Sequence, residues 1–108
     1  MNQFEINRES LLSIIKSTVV RDGSVKLHSR PIFFKRMSEP IILRFLTPNT
    51  IAIQIELEAR FGVVIPKILD KLSAAVTENL WKFAGVQVKK IELQVKDVYD
   101  EKENPESE

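Results

Sequence analysis

The side chains from which a reactive site could be assembled are His28, Glu56, Glu58 and Glu92. His28 is the single histidine of the 108-residue chain, so any Ser-His-acid arrangement would have to use it. No Gly-x-Ser-x-Gly run offers a nucleophile elbow, and the plainer reading is a surface histidine. Glu56 and Glu58 stand two apart on one strand face, with Glu92 across from them. Paired carboxylates can bind a cation or move protons. Lys90 and Lys96 belong to the same face, however, and a wet face of cross-strand charge pairs is the commoner meaning of such a pattern. The chain has no cysteine, which removes disulfides and thiolate metal sites. Its glycines, Gly23, Gly62 and Gly85, are isolated, so neither Gly-x-Gly-x-x-Gly nor a Walker loop is present. These residues lead us to expect no catalytic residue, no metal and no cofactor.

Residues suited to contact rather than chemistry fall in two places. Between Arg21 and Pro40 the cations Arg21, Lys26, Arg30, Lys35 and Arg36 outnumber Asp22 and Glu39. Arg30, Lys35 and Arg36 flank Phe33 and Phe34. Such a patch could meet nucleic acid or anionic lipid, or be a solvated loop with two buried phenylalanines. The Gly-x-x-Gly clamp of one small RNA-binding module and the aromatic sheet pair of another are both absent. The second place is Trp81. At about 100° per residue it falls opposite Leu72 and Phe83, and Ala74, Thr77 and Ala84 share its side. An exposed aromatic among small residues is a partner surface; otherwise the irregular segment or the tail folds over it.

The elements that must position these residues are legible from periodicity. Asn7 is a good N-cap for a helix over about 8–21, with Leu11, Ile14, Ile15, Thr18 and Val19 on one face and Gly23 at its end. Ile6 and Leu11 can form a hydrophobic staple across its start. A short strand fits Val25–Leu27. Ile41–Leu46 and Ile51–Arg60 alternate apolar and polar residues around the Thr47-Pro48-Asn49-Thr50 turn, which reads as a hairpin. Pro66 opens a long helix whose stripe is Ile65, Ile68, Leu69, Leu72, Val76, Leu80 and Phe83, and Gly85 closes it. Val86–Val98 is a last strand whose apolar parity changes near Lys89-Lys90, the sign of a bulge or a late start. The expected architecture is an α+β two-layer sandwich of α-β-β-α-β order. Both helices lie on one face of a three-stranded mixed sheet. Leu72 and Phe83 should be buried, and Gln54, Glu56, Glu58, Glu92, Gln94 and Lys96 should face water unless that side of the sheet pairs with another subunit.

Length fits one domain, residues 1–99, followed by an acidic tail, residues 100–108, with almost nothing apolar to bury. The formal net charge of +1 gives no bulk attraction to nucleic acid or membrane. Met1–Ile6 lacks the basic lead and apolar run of a signal peptide. No apolar stretch approaches the roughly 20 residues of a membrane-spanning helix. A cytoplasmic location is the expectation.

The run Arg60-Phe61-Gly62-Val63-Val64-Ile65-Pro66 resembles the signature of the bacterial alkaline shock protein family. There an alternating strand enters an aromatic-Gly-x-x-Ile-Pro turn and a long helix. Gly85-Val86-Gln87-Val88 and the strand Ile91–Val95 are similar to the segment that follows. Ile6-Asn7-Arg8-Glu9-Ser10-Leu11-Leu12 is similar to the family's opening helix. Two departures stand out. Val64 occupies a position that is often Asn, and the basic Arg21–Pro40 segment replaces a glycine-rich connection. The resemblance implies a non-enzymatic protein of cell-envelope homeostasis or stress. It would act as a scaffold through protein contacts, as a homo-oligomer or with a small membrane-anchored partner, peripherally at the inner face of the membrane. Trp81, Ala74, Thr77 and Ala84 are the expected partner surface, and Arg30, Lys35 and Arg36 the expected anion or membrane contacts. A small nucleic-acid-binding module using residues 21–40 is the competing reading.

Overall fold

The computed structural model describes residues 7–29 and 39–100. Helix α1 (Arg8–Asp22) leads to strand β1 (Val25–Leu27). Strands β2 (Ile41–Thr47) and β3 (Thr50–Arg60) form a hairpin, and helix α2 (Ile65–Ala84) connects β3 to strand β4 (Gln87–Tyr99). The caps behave as local chemistry requires. The Asn7 side chain accepts a hydrogen bond from the Ser10 amide at 2.8 Å. Gly23 and Gly85 end the two helices in the left-handed region, at φ 80° and 66°. Val64 at the start of α2 makes no side-chain cap, and Pro66 in the first turn needs no donor partner. The Ile6 staple lies outside the described residues.

β3 is the axis of the sheet. β4 runs parallel to it along one edge, as the crossover through α2 allows. Along its other edge β2 pairs with the first half of β3 and β1 with the last part, both antiparallel. The sheet is therefore mixed, but it has four strands rather than three, and the order is α-β-β-β-α-β. The reason is length. β3 has eleven residues and β2 seven, so β2 leaves the end of β3 uncovered, and Val25–Leu27 satisfies the backbone groups there.

Ile51, Ile53, Ile55, Leu57 and Ala59 point from β3 into one core with Leu11, Ile15 and Val19 of α1 and Leu72, Val76 and Leu80 of α2. Both helices thus cover the same face. β3 carries the cleanest alternation and takes the position paired on both edges, where one apolar face is most fully buried.

β4 departs from a regular ladder twice. Val88 pairs with Ile51 and Lys90 with Ala52, so Lys89 is an inserted residue. Val95 pairs with Leu57 and Asp97 with Glu58, so Lys96 is a second one. The first bulge is the parity change visible in the sequence. Together they keep Val88, Ile91, Leu93, Val95 and Val98 opposite the core-facing residues of β3. They also put lysines on the outer strand of the sheet, where a free edge would otherwise invite pairing. At the other edge the Arg8 guanidinium donates to the Leu43 carbonyl of β2.

Candidate interaction surface

The residues with chemical potential are engaged in holding the fold. His28 Nδ1 lies 3.0 Å from Glu58 Oε2, and the Ser29 backbone amide donates to the same oxygen at 3.2 Å. Lys26 Nζ is 3.7 Å from Glu58 Oε1 and 4.4 Å from the centre of the Tyr99 ring. Glu58 therefore ties the chain leaving β1 to the sheet. Glu56 is reached by Lys96, at 3.8 Å. Glu56 was expected to face water, yet it is only 8% exposed. It does point away from the helices, but it sits on the central strand between Gln94 of β4 and the backbone reached from Pro40. Glu92 stays exposed one pair further along. Among the described residues no group of three or more potential metal ligands comes together.

On α2 the four residues of the expected patch differ in exposure, and Ala84 packs in part against the core. Trp81 is 64% exposed, Ala74 is exposed, and Thr77 and Ala84 are half-buried. These positions are three, four or seven residues from Trp81, so they form one patch on the helix. Arg30, Lys35 and Arg36 lie outside the described residues, as do Phe33, Phe34 and residues 101–108.

Phe83 corrects the sequence reading: it is 64% exposed rather than buried. It shares the azimuth of Leu72 but stands almost a turn beyond Leu80, the last fully buried residue of the helix. There it lines a shallow groove with Ser13, Ile14 and Ser17 of α1 instead of meeting the sheet. Periodicity gives the side of a helix and not how far the partner layer extends along it. The Lys82 ammonium lies 5.4 Å from the centre of the Phe83 ring. The end of α2 thus presents two aromatics. At the other end of the same helix Phe61 and Val64 are also exposed. The sequence reading noted Val64 as a departure from the family pattern and Phe61 as part of the turn, and took neither as an exposed surface residue.

Together these features define a small two-layer α+β domain whose long helix carries exposed apolar residues at both ends, Phe61 and Val64 at one and Trp81 and Phe83 at the other. A sequence profile of the alkaline shock protein 23 family, of cell envelope-related function, matches residues 41–100. The match covers more than half of the chain, and the protein belongs to that family. No curated protein and no solved structure matches it. Among the described residues no helix is long and apolar enough to cross a membrane.

Proposed function

We propose that the protein is a non-enzymatic scaffold of the cell envelope, acting through protein contacts at the cytoplasmic membrane surface. The family match supports the envelope role. The observation that carries the contact role is the exposed indole of Trp81 on the outer side of α2, beside exposed Ala74 and half-buried Thr77, with Ala84 at the margin toward the core. An exposed tryptophan is an expensive surface residue in water and a strong anchor once desolvated by a partner. The contact joins copies of the chain or holds a small membrane-anchored protein.

Trp81→Ala tests this. The residue makes little core contact, so the variant should fold as the wild type does. Loss of a central aromatic anchor commonly costs about 2 kcal/mol or more, roughly thirtyfold in affinity. Sedimentation velocity should therefore show weaker self-association, or co-sedimentation with membrane fractions should fall. Unchanged behaviour in both assays refutes the reading. If binding is instead to nucleic acid, and is abolished by reversing Arg30, Lys35 and Arg36, the nucleic-acid reading replaces it.

A further inference from the structure

The face of the sheet opposite the helices divides by charge. In its lower half each lysine meets a carboxylate: Lys26 meets Glu58 and Lys96 meets Glu56. At the hairpin end the pattern changes. Ala52 on β3 is flanked in the same row by Arg44 of β2 and Lys90 of β4. Among the described residues neither cation is in an ion pair. Two strand spacings put their backbones about 10 Å apart, and the alanine between them leaves the floor low. The result is a depression of about 240 Å³, lined by Arg44, Ala52, Lys90, Ile42, Gln54 and Glu92. At about 30 Å³ per water this holds a tetrahedral oxyanion with part of its hydration shell.

We propose that this depression is a binding site for a phosphate-type anion, with Arg44 and Lys90 closing on it from either side. Two unpaired cations facing each other across a small residue repel one another, and an oxyanion between them removes that repulsion and gains charge-assisted hydrogen bonds. In this sequence an unbroken ladder onward from Val88 would set Lys90 opposite Ile53 on the helix-covered face; accommodating Lys89 in a bulge sets Lys90 opposite Ala52 instead. Gln54 offers an amide donor at the lower rim. Glu92 beside it repels further negative charge, so the site suits a single phosphate group rather than a polyanion. It is separate from the Trp81 patch and does not depend on it. The same chemistry is offered by a free phosphate compound and by a phospholipid head group.

The test uses the full-length chain labelled with ¹⁵N. Inorganic phosphate, titrated against chloride at matched ionic strength, should shift the amides of Ala52, Gln54 and Lys90 saturably. Arg44→Gln and Lys90→Gln should each weaken the binding about tenfold while leaving the rest of the spectrum in place. Glu92→Gln should tighten it. In a second arm, vesicles of phosphatidylglycerol and of phosphatidylcholine are compared by flotation. Retention on the anionic vesicles alone, lost in the Arg44→Gln and Lys90→Gln variants, assigns the site to a lipid head group; saturable shifts without such retention assign it to free phosphate compounds. The proposal is overturned if neither probe binds. It is also overturned if chloride produces the same shifts, or if the two substitutions leave binding unchanged.

Discussion

Asn79 of α2 donates its side-chain amide to the Thr18 hydroxyl of α1 at 3.0 Å, and that hydroxyl donates in turn to the Ile14 carbonyl at 2.7 Å. Thr18 is almost fully buried, so a polar link crosses a helix pair otherwise held by apolar contacts. The hydroxyl both accepts and donates, which a valine in its place can do neither of. Asn79→Ala and Thr18→Val should each destabilise the protein by about 1 kcal/mol. In a double-mutant cycle read by urea denaturation the two should couple, because they remove the same bond. Strict additivity would show that the bond contributes nothing to the packing of the helices.

Leu72 and Phe83 share an azimuth on α2 and differ in surroundings: one is sealed between the layers, the other is 64% exposed. Leu72→Ala should cost about 2–5 kcal/mol, the range for a leucine removed from a packed core. Phe83→Ala should stay within about 0.5 kcal/mol of the wild type, as surface substitutions do. Chemical denaturation of the two variants decides it, and equal costs would contradict the packing described.

The bulges of β4 make a third prediction. Deleting Lys89 leaves Val88 opposite Ile51 and Lys90 opposite Ala52, the pairing already present, so the ladder becomes regular and the core is untouched. This deletion should yield a cooperatively folded protein. Deleting Glu92 removes a residue from a regular stretch and turns either Leu93 and Val95 or Ile91 to the wrong face. That variant should lose its cooperative thermal transition, as followed by circular dichroism. A folded Glu92 deletion, or an unfolded Lys89 deletion, would show that the insertion is not where the register places it.

Much of this domain could be read along the chain because local interactions write themselves into neighbouring residues. Asn7 caps a backbone amide three residues on, and Gly85 supplies the left-handed turn after α2. The alternation from Ile51 to Leu57 marks one face of one strand. The break in parity at Lys89-Lys90 marks a bulge or a late start of the strand, and the register decides for the bulge. The resemblance around Gly62 and Pro66 also followed from contiguous residues, and the family match includes them.

Tertiary structure decided whatever depends on how far one element reaches over another. The second bulge, at Lys96, has only Val98 beyond it, three residues after Val95, and one apolar residue is too short a pattern to show a shift of parity. That β1 completes the edge of β3 beyond β2 follows from strand lengths meeting in space. Phe83 has the periodicity of a core residue but is largely exposed, beside a groove against α1. Arg44 and Lys90 are far apart in the chain and of no note separately. They face each other over Ala52 only through the registers of two different strand pairs, one of them shifted by a bulge. Periodicity is set by the backbone of a single element. Burial, pairing and the meeting of charges are set by the relative placement of several, which no local pattern encodes.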